Sequence, residues 1–301
     1  MEGFISKIQR YSTADGPGVR STVFAVGCPL RCRWCQNPEL IEPGGKILYH
    51  PARCVGCGAC VKASGGQIKL GEGGCVIDRA ACTNLEGCAA ACFYDAYEQI
   101  GTAISAEALA AKLLRDKAFY LQSGGGVTYS GGEPGLQADF FLALTRLLKA
   151  EGIHTALDTS GHLGWEKLGP LAEAVDLILY DIKAMDADLH IRQTGVDNRL
   201  ILENARRVAE MGKEMVVRLI LVPAVNDSRG EIDRRLAFVR GLGGNVRVEI
   251  LGYHRLGVGK YAALGLIDPM EGTPACSEEM VVHAANRAAE YGLTMAEVRL
   301  T

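Results

Sequence analysis

Nowhere in the 301 residues do about 18 apolar residues follow one another, the length a helix needs to cross a bilayer. The opening stretch, MEGFISKIQRYSTADGPG, has no long apolar run either, so no signal peptide is expected and the expected location is the cytoplasm. Charge of one sign is also missing. With 32 Lys and Arg against 35 Asp and Glu, the formal net charge of −3 gives no electrostatic case for nucleic acid or an anionic membrane. No internal repeat and no low-complexity tract occurs. What remains is enough apolar material for one large domain, or for a domain carrying an insert.

Cysteine is abundant. Ten of the eleven cysteines fall between positions 28 and 92 at short spacings, and Cys276 stands alone with no expected role in chemistry. A long chain without a secretory signal is a poor setting for a disulfide scaffold, so metal ligation is the better reading.

Three stretches differ in character. Residues 1–49 hold one strand-like run, Ser21–Val26, leading into the first cysteines. Residues 50–101 are rich in Cys, Gly and Ala with little periodicity, as in a small insert where ligand bonds stand in for a core. Residues 102–301 alternate. Helix-like stretches at Ser105–Tyr120, Ala138–Glu151, Asn198–Met211, Glu231–Arg240 and Glu278–Tyr291 separate β-rich runs at Val127–Ser130, His154–Asp158, Leu177–Ile182, Met215–Val222 and Val246–Leu251. Runs such as LILYDI and MVVRLILV are apolar throughout, as strands buried on both faces of a parallel sheet are. Six strands alternating with helices predict an α/β fold, a partial (β/α)6 TIM-like barrel, and polar residues gather at the strand ends where such barrels build their sites.

The segment Gly27-Cys28-Pro-Leu-Arg-Cys32-Arg-Trp34-Cys35 has the pattern C-x3-C-x2-C directly after a strand. Three thiolates hold three irons of a [4Fe–4S] cubane and leave the fourth open to a chelating substrate. A zinc site would show paired ligands and a fourth partner nearby, which are absent. With its aromatic before the last cysteine, the segment resembles the signature of the radical S-adenosylmethionine superfamily. That resemblance implies a site-differentiated [4Fe–4S] cluster that cleaves S-adenosylmethionine to a 5′-deoxyadenosyl radical, with Trp34 beside the adenine.

Further motifs follow in the family's order. Ser130-Gly131-Gly132-Glu133-Pro134 resembles the superfamily's GGE motif: glycines allow close backbone approach, and Glu133 is expected to hold the methionine ammonium. Asp181-Ile-Lys183 resembles the D-x-K motif of the glycyl radical enzyme activases, with Lys183 on the methionine carboxylate and Asp181 orienting its neighbours. Asp158, Thr159, Ser160 and Arg218 occupy comparable strand positions within expected reach of the cofactor, and Arg218 inside an apolar strand demands partners, since an unpaired buried cation is costly. Tyr253-His254-Arg255-Leu256-Gly257 resembles the activases' PYHxLG segment with Gly252 in place of Pro, and places His254 by the nucleoside or the substrate loop. Asp15-Gly-Pro-Gly-Val-Arg20 resembles their DGPGxR segment, with Asp15 or Arg20 expected to shape the substrate entrance.

The insert reads as two ferredoxin halves. The first is Cys54, Cys57, Cys60 with Ser64 in fourth place, and the second is Cys82, Leu85, Cys88 and Cys92. In two-cluster ferredoxins the fourth cysteine of each half ligates the other cluster, which yields one complete set: Cys54, Cys57, Cys60 and Cys92. One auxiliary [4Fe–4S] cluster is therefore expected, and a second only if Cys75 joins Cys82 and Cys88.

The resemblance implies an activating enzyme that abstracts hydrogen from a backbone glycine of a partner glycyl radical enzyme. No conventional acid–base pair is required, because the cofactor carries the hard chemistry. Reduced flavodoxin or ferredoxin is the expected electron donor, and a monomer is expected. A radical enzyme acting on a small molecule or a peptide is the rival reading, and a ferredoxin-like carrier or zinc module a more distant one. The sequence does not discriminate among partner enzymes.

Overall fold

The computed structural model describes the backbone of residues 1–300 and the side chains of residues 1–296. Strand β1 (Glu2–Ser12) pairs antiparallel with β2 (Arg20–Ala25), every residue of which is buried. The cysteine loop follows. Strand β3 (Lys46–Tyr49) leads into the insert, which comprises α1 (Ala59–Ala63), the hairpin β4 (Ile68–Gly71) and β5 (Gly74–Ile77), α2 (Leu85–Ala90) and β6 (Tyr97–Ile100). Its ends are clasped by the antiparallel β3–β6 pair. Its small core consists of Ile47, Tyr49, Ile68, Ala96 and Tyr97 together with Cys60, Cys82 and Cys88.

Strand β7 (Thr102–Ser105) returns to pair with β1. Helices α3 (Ala106–Leu113) and α4 (Lys117–Ser123) follow, then β8 (Gly126–Gly131), α5 (Ala138–Ala150), β9 (His154–Thr159), α6 (Trp165–Ala174) and β10 (Leu177–Asp181). The chain continues through α7 (Ala187–Thr194), α8 (Arg199–Glu210), β11 (Glu214–Leu221), α9 (Arg229–Leu242), β12 (Val246–Gly252), α10 (Val258–Leu264), α11 (Glu278–Glu290) and β13 (Met295–Leu300). Ser105 and Ser228 cap α3 and α9 by accepting from the N–H groups of Ala108 and Glu231.

One nine-stranded sheet runs in the order β13-β12-β11-β10-β9-β8-β2-β1-β7. The pairs from β2 to β13 are all parallel, so the six strands expected from the sequence lie side by side with helices packed against them. The edge strands β13 and β7 do not pair with each other, which makes the barrel an open one. Expectation and structure differ in a few places. The helix expected over Ser105–Tyr120 breaks into α3 and α4 around a turn at Leu114–Asp116, where Asp116 is buried to receive Arg10. Strand β1, the seventh parallel strand β13 and helices α6, α7 and α10 were not expected from the sequence; α6 even has Pro170 inside it.

The main core lies between the sheet and its helices, with Tyr129, Phe141, Leu144, Leu157, Ile178, Val217 and Val248 at its centre. It fixes the strand ends, and with them the polar residues that face one cavity.

Candidate active site

At the carboxyl ends of the parallel strands lies a cavity of about 410 Å³, within the usual size for a small-molecule site. Its lining includes Trp34 and Asn37 of the cysteine loop, Ser130 of β8, Asp158 of β9, Arg218 of β11 and His254 after β12.

Cys28, Cys32 and Cys35 sit on the loop after β2. The loop is held by main-chain bonds: Cys28 N–H to Ile41 at 2.8 Å, and Arg31 and Arg33 N–H to Thr194 and Gln193 at the end of α7. Burial pushes the Cys28 and Cys32 thiols up to about 12 and that of Cys35 to about 11; Glu133 adds to the effect at Cys28. Lys183 works the other way at all three. Desolvated thiols of this kind ionise only if a strong cation joins them, which is the service iron gives a thiolate. Among the described residues no group of three His, Cys, Asp or Glu side chains is arranged to hold a single metal ion. A cubane makes a different demand, because each thiolate binds its own iron, so the donor set fits a cluster better than a lone zinc.

Behind the cavity the charges form one chain across three adjacent strands. Arg218 donates from Nη2 to Asp158 Oδ1 at 2.9 Å and from Nε to Asp181 Oδ1 at 3.1 Å. Lys183 donates to Asp181 Oδ2 at 2.9 Å, and Ser130 Oγ donates to Asp158 Oδ2 at 2.6 Å. Burial would raise Asp181, but Lys183 and Arg218 overcome it and hold the carboxyl below its ordinary range. For Asp158 burial wins over Arg218, and the carboxyl is pushed up to about 6. Burial alone would lower Lys183 and Arg218, yet their carboxylate partners raise both. The strand cation therefore has the partners its position demanded.

Glu133 lies close enough to Cys28 for its charge to raise that thiol. Its side chain is fully buried, does not line the cavity, and accepts from Thr159 Oγ1 at 2.8 Å, Ser160 N–H at 2.8 Å, Ser160 Oγ at 2.6 Å and Gly135 N–H at 3.4 Å. Glu133 thus ties the end of β8 to the end of β9. The two glycines before it are required for packing. Gly131 has φ +103°, and a Cβ there would lie 2.7 Å from Ala25 N; one on Gly132 would strike the carbonyl of Gly27. Both glycines let β8 press against the strand end that carries Cys28.

Trp34 is buried among Val222, Tyr253 and Met270 and also forms part of the cavity wall. His254 lines the cavity, and burial lowers its ordinary value. Asp15 lines it too, its Oδ2 accepting from Ser12 and Thr22 at 2.6 Å each. Arg20 does not shape the entrance. It is fully buried and binds Thr128 Oγ1 at 2.7 Å, the Val127 carbonyl at 2.9 Å and the Pro17 carbonyl at 3.1 Å, anchoring the Gly-Pro-Gly turn.

Sequence reasoning passed over the residues that join the cysteine loop to the segment after β12. Gln36 donates to the His254 carbonyl at 2.9 Å and accepts from Gly257 N–H at 2.8 Å. Lys260 reaches Asn37 Oδ1 and Glu39 Oε1, each at 2.7 Å. Their signal was position alone, since Gln36 and Asn37 directly follow the third cysteine. Lys7 and Gln9 of β1 also line the cavity, Lys7 with its ammonium 4.9 Å from the centre of the Phe24 ring.

In the insert, Cys75 Sγ lies 4.0 Å from Cys54 Sγ and 3.4 Å from Cys60 Sγ. Cys82 and Cys88 neighbour each other, and the Cys88 thiol meets the Cys60 carbonyl at 3.6 Å. The sulfur neighbours of Cys75 are thus Cys54 and Cys60, and the grouping expected for it, with Cys82 and Cys88, is not the one formed. Cys57 is exposed, and Cys92 follows α2.

Residues 84–236 match the family model of the radical SAM superfamily. Over 276 residues the chain is 38% identical to the isethionate sulfite-lyase activating enzyme of Nitratidesulfovibrio vulgaris, covering 89% of each chain. It is 39% identical over 266 residues to the trans-4-hydroxy-L-proline dehydratase activating enzyme of Clostridioides difficile, covering 87% of each. Among solved structures, a domain of pyruvate-formate lyase-activating enzyme from Bacteroides vulgatus is 29% identical with a TM-score of 0.50, matching 58% of this chain and all of that one.

Proposed function

We propose a reaction for a chain that belongs to the radical SAM superfamily and, within it, to the activating enzymes of glycyl radical enzymes. It activates a partner enzyme by removing a hydrogen atom from a backbone glycine. The observation that carries this reading is the meeting of the cysteine loop, through Trp34 and Asn37, with the Asp158–Arg218 pair and His254 on one cavity. When bound, a [4Fe–4S] cluster and S-adenosylmethionine supply a 5′-deoxyadenosyl radical.

This chain's residues bind, orient and shield. Cys28, Cys32 and Cys35 hold three irons, and the neighbouring Lys183 offsets part of the negative charge they bring. Asp158 and Arg218 on the cavity wall, backed by Asp181 and Lys183, form a charge-balanced set toward the amino and carboxylate groups of the methionine moiety. Trp34 packs by the adenine, and His254 stands beside the nucleoside or the incoming glycine loop. Gly131 and Gly132 keep the β8 end tight against the cluster loop, and Glu133 fixes the same end from behind. The partner presents its glycine at the cavity mouth beside the exposed Leu256, which requires it to open locally.

The insert, residues 50–101, holds an auxiliary [4Fe–4S] cluster with Cys54, Cys57 and Cys60 among its ligands. The electron comes from reduced flavodoxin or ferredoxin, and the enzyme acts as a cytoplasmic monomer. No helix among the described residues is long and apolar enough to cross a membrane.

The test is to incubate the anaerobically reduced protein with S-adenosylmethionine and candidate partner enzymes. A glycyl radical doublet by electron paramagnetic resonance is expected with one of them. Release of 5′-deoxyadenosine without a doublet for any candidate would favour a small-molecule substrate.

A further inference from the structure

The ferredoxin spacing gives the fourth place around the auxiliary site to Cys92, and the tertiary structure brings a different thiol there. We propose that Cys75, which lies outside that spacing, is the fourth thiolate of the cluster bound by Cys54, Cys57 and Cys60.

The hairpin β4–β5 does the placing. Its register sets Leu70 opposite Cys75 and Gly71 opposite Gly74, which folds Cys75 back over the loop that starts at Cys54. Its sulfur then touches those of both Cys54 and Cys60. No hydrogen bond joins the Cys92 sulfur to another cysteine among the described residues, although Cys92 packs against the same small core after α2.

Two tyrosines furnish the surroundings an iron–sulfur site needs. The Tyr49 hydroxyl accepts from the Cys75 N–H at 2.6 Å, which pins the ligand's backbone and leaves the phenolic proton free to donate. The Tyr97 ring stands 5.1 Å from that of Tyr49, and its buried hydroxyl makes no well-formed hydrogen bond, with the Cys60 thiol the nearest group it faces. An orphaned buried hydroxyl is costly. With the Cys60, Cys75 and Cys88 thiols as neighbours, the partner it lacks is a cluster or ligand sulfur, and donors to such sulfurs set the potential. A lone metal ion would not serve, because no three such side chains are arranged for one. A cubane spreads its ligands over separate irons, and a thiol arriving from a second strand closes the set.

The inference rests on the insert being an iron–sulfur unit, and the experiment separates the two. Iron is counted on the anaerobically reconstituted full chain for wild type, Cys54→Ser, Cys75→Ser and Cys92→Ser. Cys75→Ser is expected to lose about four irons, as Cys54→Ser does, or to show a three-iron resonance after mild oxidation. Wild-type iron content and spectrum in Cys75→Ser overturn the proposal, as does a loss confined to Cys92→Ser. Wild-type iron in Cys54→Ser would instead overturn the reading of the insert itself.

Serine at position 75 could disturb the hairpin, so the unaltered chain is also alkylated before and after a chelator strips its iron. Cys75 is expected to be protected only in the iron-loaded state, in step with Cys54 and Cys60. Equal labelling of Cys75 in both states overturns the proposal, and where the two readouts differ this one decides.

Discussion

Arg218 reaches past the neighbouring strand to Asp158, two strands away in the sheet, and donates from Nη2 to Oδ1 at 2.9 Å with little of either side chain exposed. On the way its Nε meets Asp181, which stands directly opposite it in the β10–β11 register. One cation thus fixes the carboxylates of two strands, that of Asp158 on the cavity wall and that of Asp181 behind it. Parallel strands make this possible, because their carboxyl ends all open on the same side.

Replacing Arg218 with Met should leave two buried carboxylates with only Lys183 between them. Breaking a buried pair from one side costs about 3–5 kcal/mol. The expected outcome is a lower denaturation midpoint together with weakened S-adenosylmethionine binding by equilibrium dialysis. Unchanged values for both would mean that the pair is not structurally important.

Asp158 predicts a pH dependence. Its folded value of about 6 lies above its ordinary one, so the folded state binds the proton more tightly than the unfolded chain does. The stability this group contributes is present at low pH and is lost as pH rises through about 6. Asp181 is shifted downward and behaves in the opposite way, contributing above its ordinary value and losing that contribution in acid. The stability difference between wild type and Asp158→Asn, measured on the iron-free chain by urea unfolding, should shrink for wild type between about pH 4 and 6 and be flat above about 7.

Glu133→Gln tests what that residue does. The amide keeps one acceptor and presents N–H groups to the Ser160 N–H and hydroxyl, leaving buried donors without an acceptor. A loss of about 1–3 kcal/mol is expected. Binding of S-adenosylmethionine should change by less than about threefold, under 1 kcal/mol, since the residue does not line the cavity. A large loss of affinity in a stable variant would restore the direct role that the motif suggests.

Gly131→Ala would force a side chain into a left-handed backbone conformation and against Ala25 N. Strain of this kind costs about 1–3 kcal/mol, and more if β2 must move. Because β2 delivers Cys28, urea unfolding should register a stability loss, and the iron retained by the variant should fall with it.

Cys32→Ala should abolish 5′-deoxyadenosine formation while leaving visible iron–sulfur absorbance from the insert. Complete loss of that absorbance would mean that the insert binds no cluster of its own.

The sequence by itself was sufficient for six of the seven parallel strands, because strands buried on both faces must be apolar throughout and read as such. It placed Cys28, Cys32 and Cys35 together as well, since they lie on one short loop where spacing and geometry are nearly the same thing. Chemistry at strand ends was also legible, as a polar residue terminating an apolar run has few other reasons to be there. Tertiary structure decided the rest wherever partners lie far apart in the chain. That Arg218 serves Asp158 and Asp181, that Gln36 ties the cluster loop to the segment around His254, and that Arg20 anchors a turn all depend on which strands are neighbours. Glu133 and Cys75 make the same point more sharply. A motif names residue types that tend to occur together, but burial and strand register determine which donors a carboxylate meets and which sulfurs come together.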